Sequence, residues 1–219
     1  MELYHLLNRG VDKRRIFLDS QDYARFVHNL YEFNDTAPAL EFSRRDVGLT
    51  KSHIRKRLVE IHGWVLMENH YHLLLSERVA GGITRFLTKL NIGYAKYFNE
   101  RNRRNGTLFQ GRTKKILIGR EAHFLYILHY LHLNPLDYLK GSSKWRERDK
   151  GSVKNTREAL EYLNEYRWSS YLDYCEKKNF PSILTKDLFE DPHENYQKTL
   201  GEYLKNTEES LELESATLE

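Results

Sequence analysis

The run Trp64-Val-Leu-Met-Glu-Asn-His-Tyr-His-Leu-Leu-Leu75 constrains this chain more than any other stretch. Its residues suit a strand near 58 to 67 and a second near 70 to 76. On an extended strand, residues i and i+2 share a face, so His70 and His72 project together while Leu73 to Leu75 anchor the strand in a core. Two convergent imidazoles on a rigid strand make half of a metal site.

The elements around this run follow from periodicity and punctuation. Residues 2 to 8 read as a strand closed by the turn Asn8-Arg9-Gly10, and Ile16 to Leu18 as a brief second segment. Asp19-Ser20 caps a predicted helix with Tyr23, Phe26, Val27, Leu30 and Phe33 on its apolar stripe. Residues 34 to 52 read as an irregular connection. Gly81-Gly82 opens a helix to about Asn99, Lys114 to Ile118 reads as a strand, and Glu121 to about Leu133 as a helix stopped by Asn134-Pro135. This order predicts an α+β domain with a mainly antiparallel sheet over residues 1–139. Residues 140–206 read as a small helical extension of one or two short helices after a polar linker, packed on the first domain or on nucleic acid. Residues 207–219 hold five acids and no base and read as a disordered tail.

Net charge is +4, and it rises to +9 once the acidic tail is set aside. A basic body of this size favours a polyanionic partner, although a solvated basic surface explains it equally well. Cys175 is the single cysteine, which rules out an internal disulfide and fits a reducing compartment. There is no apolar stretch of the ~20 residues that span a bilayer, and the first ten residues lack the order of a signal peptide. The expectation is a cytoplasmic protein with no membrane partner.

On the predicted helix at 121 to 134, Tyr126, Tyr130 and Asn134 recur at steps of four and share a face, while Phe124, Leu128 and Leu131 share another. An amide oxygen with two imidazole nitrogens suits magnesium or manganese better than a closed zinc cage. A phosphodiester at such an ion would have a non-bridging oxygen polarised and its leaving oxygen stabilised. A tyrosine one turn from the ligand is placed to attack phosphorus and form a phosphotyrosine.

The motifs carry a resemblance. His70-Tyr71-His72, Tyr94-Ala-Lys-Tyr-Phe-Asn99, Gly106-Thr-Leu-Phe-Gln-Gly-Arg112 and Tyr130-Leu-His-Leu-Asn-Pro135 follow Asn8-Arg9-Gly10 and precede Trp168-Ser-Ser-Tyr171. In this order, over residues 1 to 175, they resemble the single-tyrosine HUH transposases, nearest the REP-associated tyrosine transposase branch. The resemblance implies an RRM-like (ferredoxin-like) antiparallel sheet with helices on one face. It implies metal ligands at His70, His72 and Asn134 and a nucleophile at Tyr130. The activity implied is single-stranded DNA cleavage beside a hairpin through a 5′-phosphotyrosine, by a monomer or a homodimer. Glu68 departs from the family's proline at that position and reads as a bystander or a partner of an imidazole. The segment from 36 to 58 is longer than in compact members.

Plainer readings stand beside each of these. His70 and His72 fit two hydrogen-bonded histidines on a half-buried strand. Tyr130 fits core packing, Tyr126 competes as nucleophile, and Asn134 fits a helix end. His5 and His123 are open to either use, and Trp168 and Tyr171 read as core. For DNA contact the sequence offers Arg14 and Arg15, then Arg55, Lys56 and Arg57 with Lys51. A basic loop adds Arg103, Arg104, Arg112, Lys114 and Lys115 around Phe109, whose ring is a candidate stacking platform. Two other function classes remain: a domesticated module that binds hairpin DNA or RNA without cutting, and a hydrolytic metalloenzyme using Glu68 as base.

Overall fold

The computed structural model of this chain describes residues 1–38, 55–142, 144–146, 153, 155–189 and 195–205. Most of the irregular connection, Lys51 and the acidic tail lie outside them. Four strands, β1 (Leu3–Arg9), β2 (Val59–Met67), β3 (His70–Glu77) and β4 (Lys114–Leu117), form one sheet in the order β2-β3-β1-β4. Every neighbouring pair is antiparallel. Helix α1 (Ser20–Glu32) joins β1 to β2, and α2 (Gly82–Arg101) joins β3 to β4. This is the ferredoxin-like split β-α-β arrangement, within the expected α+β class.

Helices α1 and α2 cover one face. The Asp19 carboxylate accepts the backbone N–H groups of Gln21 and Asp22 at 3.0 and 3.2 Å, which fixes the start of α1. Arg101, at the end of α2, reaches Asp19 at 2.6 Å and also pairs with the buried Asp22, so the two helices are tied at one end. Between them and the sheet lie Phe26, Leu30, Phe86, Leu90 and Tyr94, against Leu6, Trp64, Tyr71 and Leu73.

The other face is covered too. Helix α3 (Glu121–Leu133) crosses it, followed by a 3-10 turn at Asn134–Tyr138. Then come α4 (Thr156–Glu165), α5 (Tyr171–Tyr174) and α6 (Tyr196–Lys205). Ile127, Leu131, Leu136, Leu163 and Tyr171 form a second core with Val65, Met67 and Leu74. Burial on both faces explains why β3 is an almost unbroken apolar run instead of an alternating one. Gly63 sets how closely α3 approaches. A Cβ there would stand 3.1 Å from Leu128 Cδ1 and 3.3 Å from Leu131 Cδ2.

One local expectation changes, and one edge is closed in a way the sequence did not address. Ile16 and Phe17 form no strand; their N–H groups donate to the Glu68 carbonyl at 2.8 and 3.1 Å. The outer edge of β2 is closed by the segment around Trp168: Leu66 N–H donates to Trp168 O and Ser170 N–H to Trp64 O, both at 2.9 Å.

Candidate active site

Opposed residues of antiparallel strands share a face. On the α3 face they fall in three rows. Arg9, His70 and Met67 form the row at the hairpin end. Lys114, Leu7, His72 and Val65 form the next, and Ile116, His5, Leu74 and Gly63 the third. The sheet therefore brings His5 to the two histidines of β3.

The three imidazoles are organised differently. His70 Nδ1 lies 2.6 Å from Asn69 Oδ1. The Asn69 amide nitrogen donates to Lys13 O at 3.2 Å, which fixes its oxygen toward the ring. An amide oxygen only accepts, so His70 carries its proton on Nδ1 and keeps a lone pair on Nε2. His72 Nδ1 lies 2.8 Å from His5 Nε2, with the rings stacked at 5.0 Å. When His72 donates across that bond, its Nε2 is left with the lone pair a cation needs. Burial pushes His5 down to about 4. Burial, then the charge of Arg9, pushes His70 down to about 4 as well. Burial, then His5 and His70, holds His72 well below the ordinary histidine range. All three rings are neutral at pH 7.

Tyr130 of α3 stands edge-on to His72 and His5, with ring centroids 5.8 and 5.9 Å away. It is 5% exposed and lies under Trp145 at 5.8 Å. Tyr126 sits one turn back, between Tyr130 and Tyr203 of α6, at 5.8 Å from each.

Asn134 is placed by the end of the helix. Pro135 has no N–H, so the α3 carbonyl that would receive it needs another donor. The Asn134 side-chain amide reaches that carbonyl, Leu131 O, at 3.5 Å, while its short bond, at 2.6 Å, goes to Tyr130 O one residue earlier. The α-helix ends at Leu133, where the proline predicts, and the chain turns directly into the 3-10 segment, with Asn134 at φ −49°, ψ −40°. With its nitrogen committed, the oxygen of Asn134 points away from the helix, where Arg146 Nη2 donates to it at 2.8 Å. Arg146 also pairs with Asp137 and lies 5.7 Å from the Tyr130 ring.

Magnesium or manganese fits this donor set in part. The His70 and His72 rings stand with centroids 4.9 Å apart and nearly perpendicular. The Asn134 oxygen has a second lone pair beside the one taken by Arg146. Among the described residues, no three His, Cys, Asp or Glu side chains form a metal-binding group. The Glu68 carboxylate turns to Arg15 at 3.2 Å, both side chains being about half exposed, and Asn69 is the partner of the imidazole instead.

The basic residues divide by position. Lys114 lies in the His72 row, two strands away at about 10 Å. Arg112 is exposed just before it, and Lys115 faces the other side, 3.8 Å over the Tyr4 ring. Arg14 lies close enough to Arg104 to weaken its proton affinity, second to burial. Arg103 sits in the turn after α2 with φ +49°. Phe109 is not a platform: it is half-buried, with its ring against Tyr71 and Tyr94, because Gly10 and Phe109 bridge the two loops and turn it inward. Arg55, Lys56 and Arg57 do not join the site. They precede β2 at the far end of the sheet, about 25 Å from His70 by strand rise. Arg55 covers the Tyr31 ring at 3.9 Å, and Arg57 pairs with Glu60 at 2.8 Å. Trp168 stacks on Tyr23 at 5.0 Å and Tyr171 is fully buried, as core residues.

Sequence reading left His5 open and did not single out Arg9 or Arg146 as site residues. The alternation Leu3, His5, Leu7 was the available signal for His5. Arg146 had none, since it lies in a polar segment with no periodicity.

No family model and no curated protein matches this chain. Among solved structures, it is similar to a REP-associated tyrosine transposase bound to a REP hairpin. The identity is 13%, over 87% of this chain and 88% of that one, with a TM-score of 0.46. No described helix is long and apolar enough to cross a membrane.

Proposed function

We propose that this chain is a metal-dependent single-stranded DNA endonuclease and strand transferase of the single-tyrosine HUH kind, acting beside a DNA hairpin. The observation that carries this reading is the position of Tyr130, edge-on to His72 with Asn134 one turn further along the same helix. The contact between Tyr130 and His72, which no local sequence pattern encodes, supports this reading.

Magnesium or manganese held by His70, His72 and Asn134 would polarise a non-bridging phosphate oxygen and stabilise charge on the leaving oxygen. Tyr130 Oη gives up its proton and bonds to phosphorus. The bond from phosphorus to the 3′-oxygen breaks, and that oxygen takes a proton and leaves as a 3′-hydroxyl. The 5′-phosphotyrosine keeps the phosphodiester energy for rejoining. Asn69 and His5 hold the two imidazoles from behind, as partners of ligating histidines do. Arg9, Lys114 and Arg112 supply backbone-phosphate contacts along the open side of the sheet. The ligands and the nucleophile come from one chain, so this reading asks for no second subunit.

The test is covalent capture. With manganese and a pool of hairpin oligonucleotides carrying randomised single-stranded flanks, the protein should form an adduct stable in denaturant. Tyr130→Phe should abolish it and leave hairpin binding in place. An adduct that survives in Tyr130→Phe would move the nucleophile elsewhere, and hairpin binding without any wild-type adduct would favour a module that binds and does not cut.

A further inference from the structure

We propose that Arg146 grips the phosphate attacked by Tyr130, donating from its Nε–H to a phosphate oxygen; this rests on the reading of the site given above. The turn after Asn134–Tyr138 returns the chain over α3 and lays the Arg146 guanidinium into the site. Three contacts hold it there. Nη2 donates to Asn134 Oδ1 at 2.8 Å, Nη1 pairs with the Asp137 carboxylate, and the guanidinium carbon lies 4.3 Å from the centre of the Trp145 ring. Burial opposes its charge, and hydrogen bonds to Asp137 and to Tyr130 outweigh that effect, so the cation also touches the tyrosine that reacts.

Its Nε–H is the informative donor. The Nε–H of Arg146 is buried and has no hydrogen-bond partner. A buried N–H on a cation is costly to leave unpaired, and arginine presents its donors as a rigid fork suited to two oxygens of one anion. The local charge agrees. Of the charged side chains that bear most on His70, Arg9 and Arg146 are positive and Asp137 is negative. The imidazoles beside them are neutral. A phosphodiester carries one negative charge and tetrahedral oxygens, so it meets both the orphaned donor and the arginine charges. Arg146 would then hold the phosphate from the side of Tyr130 and Asn134, opposite the imidazoles.

The experiment has two arms on the full chain. In the first, Arg Nε–H resonances are followed by 1H–15N NMR, with magnesium present, during titration with dimethyl phosphate as a phosphodiester lacking bases. One resonance, absent in Arg146→Lys, should shift saturably, and chloride at equal ionic strength should leave it in place. In the second, adduct formation with the hairpin pool is timed at saturating oligonucleotide. Arg146→Lys and Arg146→Gln should slow it about 100-fold, with a much smaller change in the oligonucleotide concentration at half-maximal rate. An Arg146 resonance that ignores dimethyl phosphate, or that chloride shifts equally, would overturn the proposal. So would an unchanged rate in both variants. A saturable shift without any wild-type adduct would keep the phosphate site and remove the nuclease reading. An adduct without the shift would do the reverse.

Discussion

A proton shared between His5 and His72 decides whether the second imidazole can meet a cation. His5→Phe keeps an aromatic ring at this position and removes the nitrogen 2.8 Å from His72 Nδ1. Manganese affinity, read from the paramagnetic resonance of the free ion, should fall by about 10- to 100-fold, with the fold intact. Equal affinity in the variant would separate His5 from the site. This residue also marks how far the sequence could be read. His70 with His72, and Tyr130 with Asn134, are legible because fixed local periods, two on a strand and four on a helix, place each pair on one face. His5 comes to His72 through pairing between residues 67 apart, and Arg146 returns 12 residues after Asn134 through an irregular turn. No local period records either approach.

At the scale of elements, the seat of α3 controls the site, because Tyr130 and Asn134 both ride on it. The seat depends on the missing side chain at Gly63, where Leu128 and Leu131 close to within 3.1 and 3.3 Å of a would-be Cβ. Gly63→Val should lift α3 and destabilise the protein by about 1–3 kcal/mol, seen as a lower urea midpoint. Gly63→Ala should cost less, since the leucine ends can yield. An unshifted midpoint in Gly63→Val would mean that α3 is seated from elsewhere. Apart from Ile16 to Leu18, the strands and helices up to Leu133 were legible almost to their ends, because apolar period and caps are local properties. The extension, read as one or two short helices, holds three among the described residues, α4, α5 and α6. The end of α3 at Leu133 was legible too, from the proline. The side-chain bond from Asn134 to Tyr130 O was not, because backbone propensity does not count it.

For the whole molecule, the buried imidazoles set the response to acid. His5 and His70 are held at about 4, and His72 and His132 well below the ordinary value, in each case chiefly by burial. His132 sits between Tyr196 Oη and Ser170 Oγ at 2.7 and 2.8 Å, where α3 meets the C-terminal segment. These groups are neutral when folded and take protons when unfolded below their usual pKa of about 6.5. Stability of the metal-free protein should therefore be level above pH 7 and fall as pH drops from about 6.5 toward 4. Each such histidine contributes about 1.4 kcal/mol per pH unit. Asp19 works in a separate window. Hydrogen bonding to Arg101 holds it at about 2, so its stabilising effect persists until pH falls toward that value. Urea midpoints between pH 8 and 4.5 check this, and a flat profile would contradict the burial of the ring cluster.

Helical layers lie on both sides of the sheet, and a strip around Trp168 seals its β2 margin. Bases therefore find no open floor on which to lie flat, as they would on a bare four-stranded platform. On the proposed function, a nucleic acid would approach from the rim, along the lysine-bearing β4 strand or over the tip where Arg9 and His70 sit side by side. Such an approach favours a backbone folded back on itself, whose sugars and phosphates lead and whose bases trail behind.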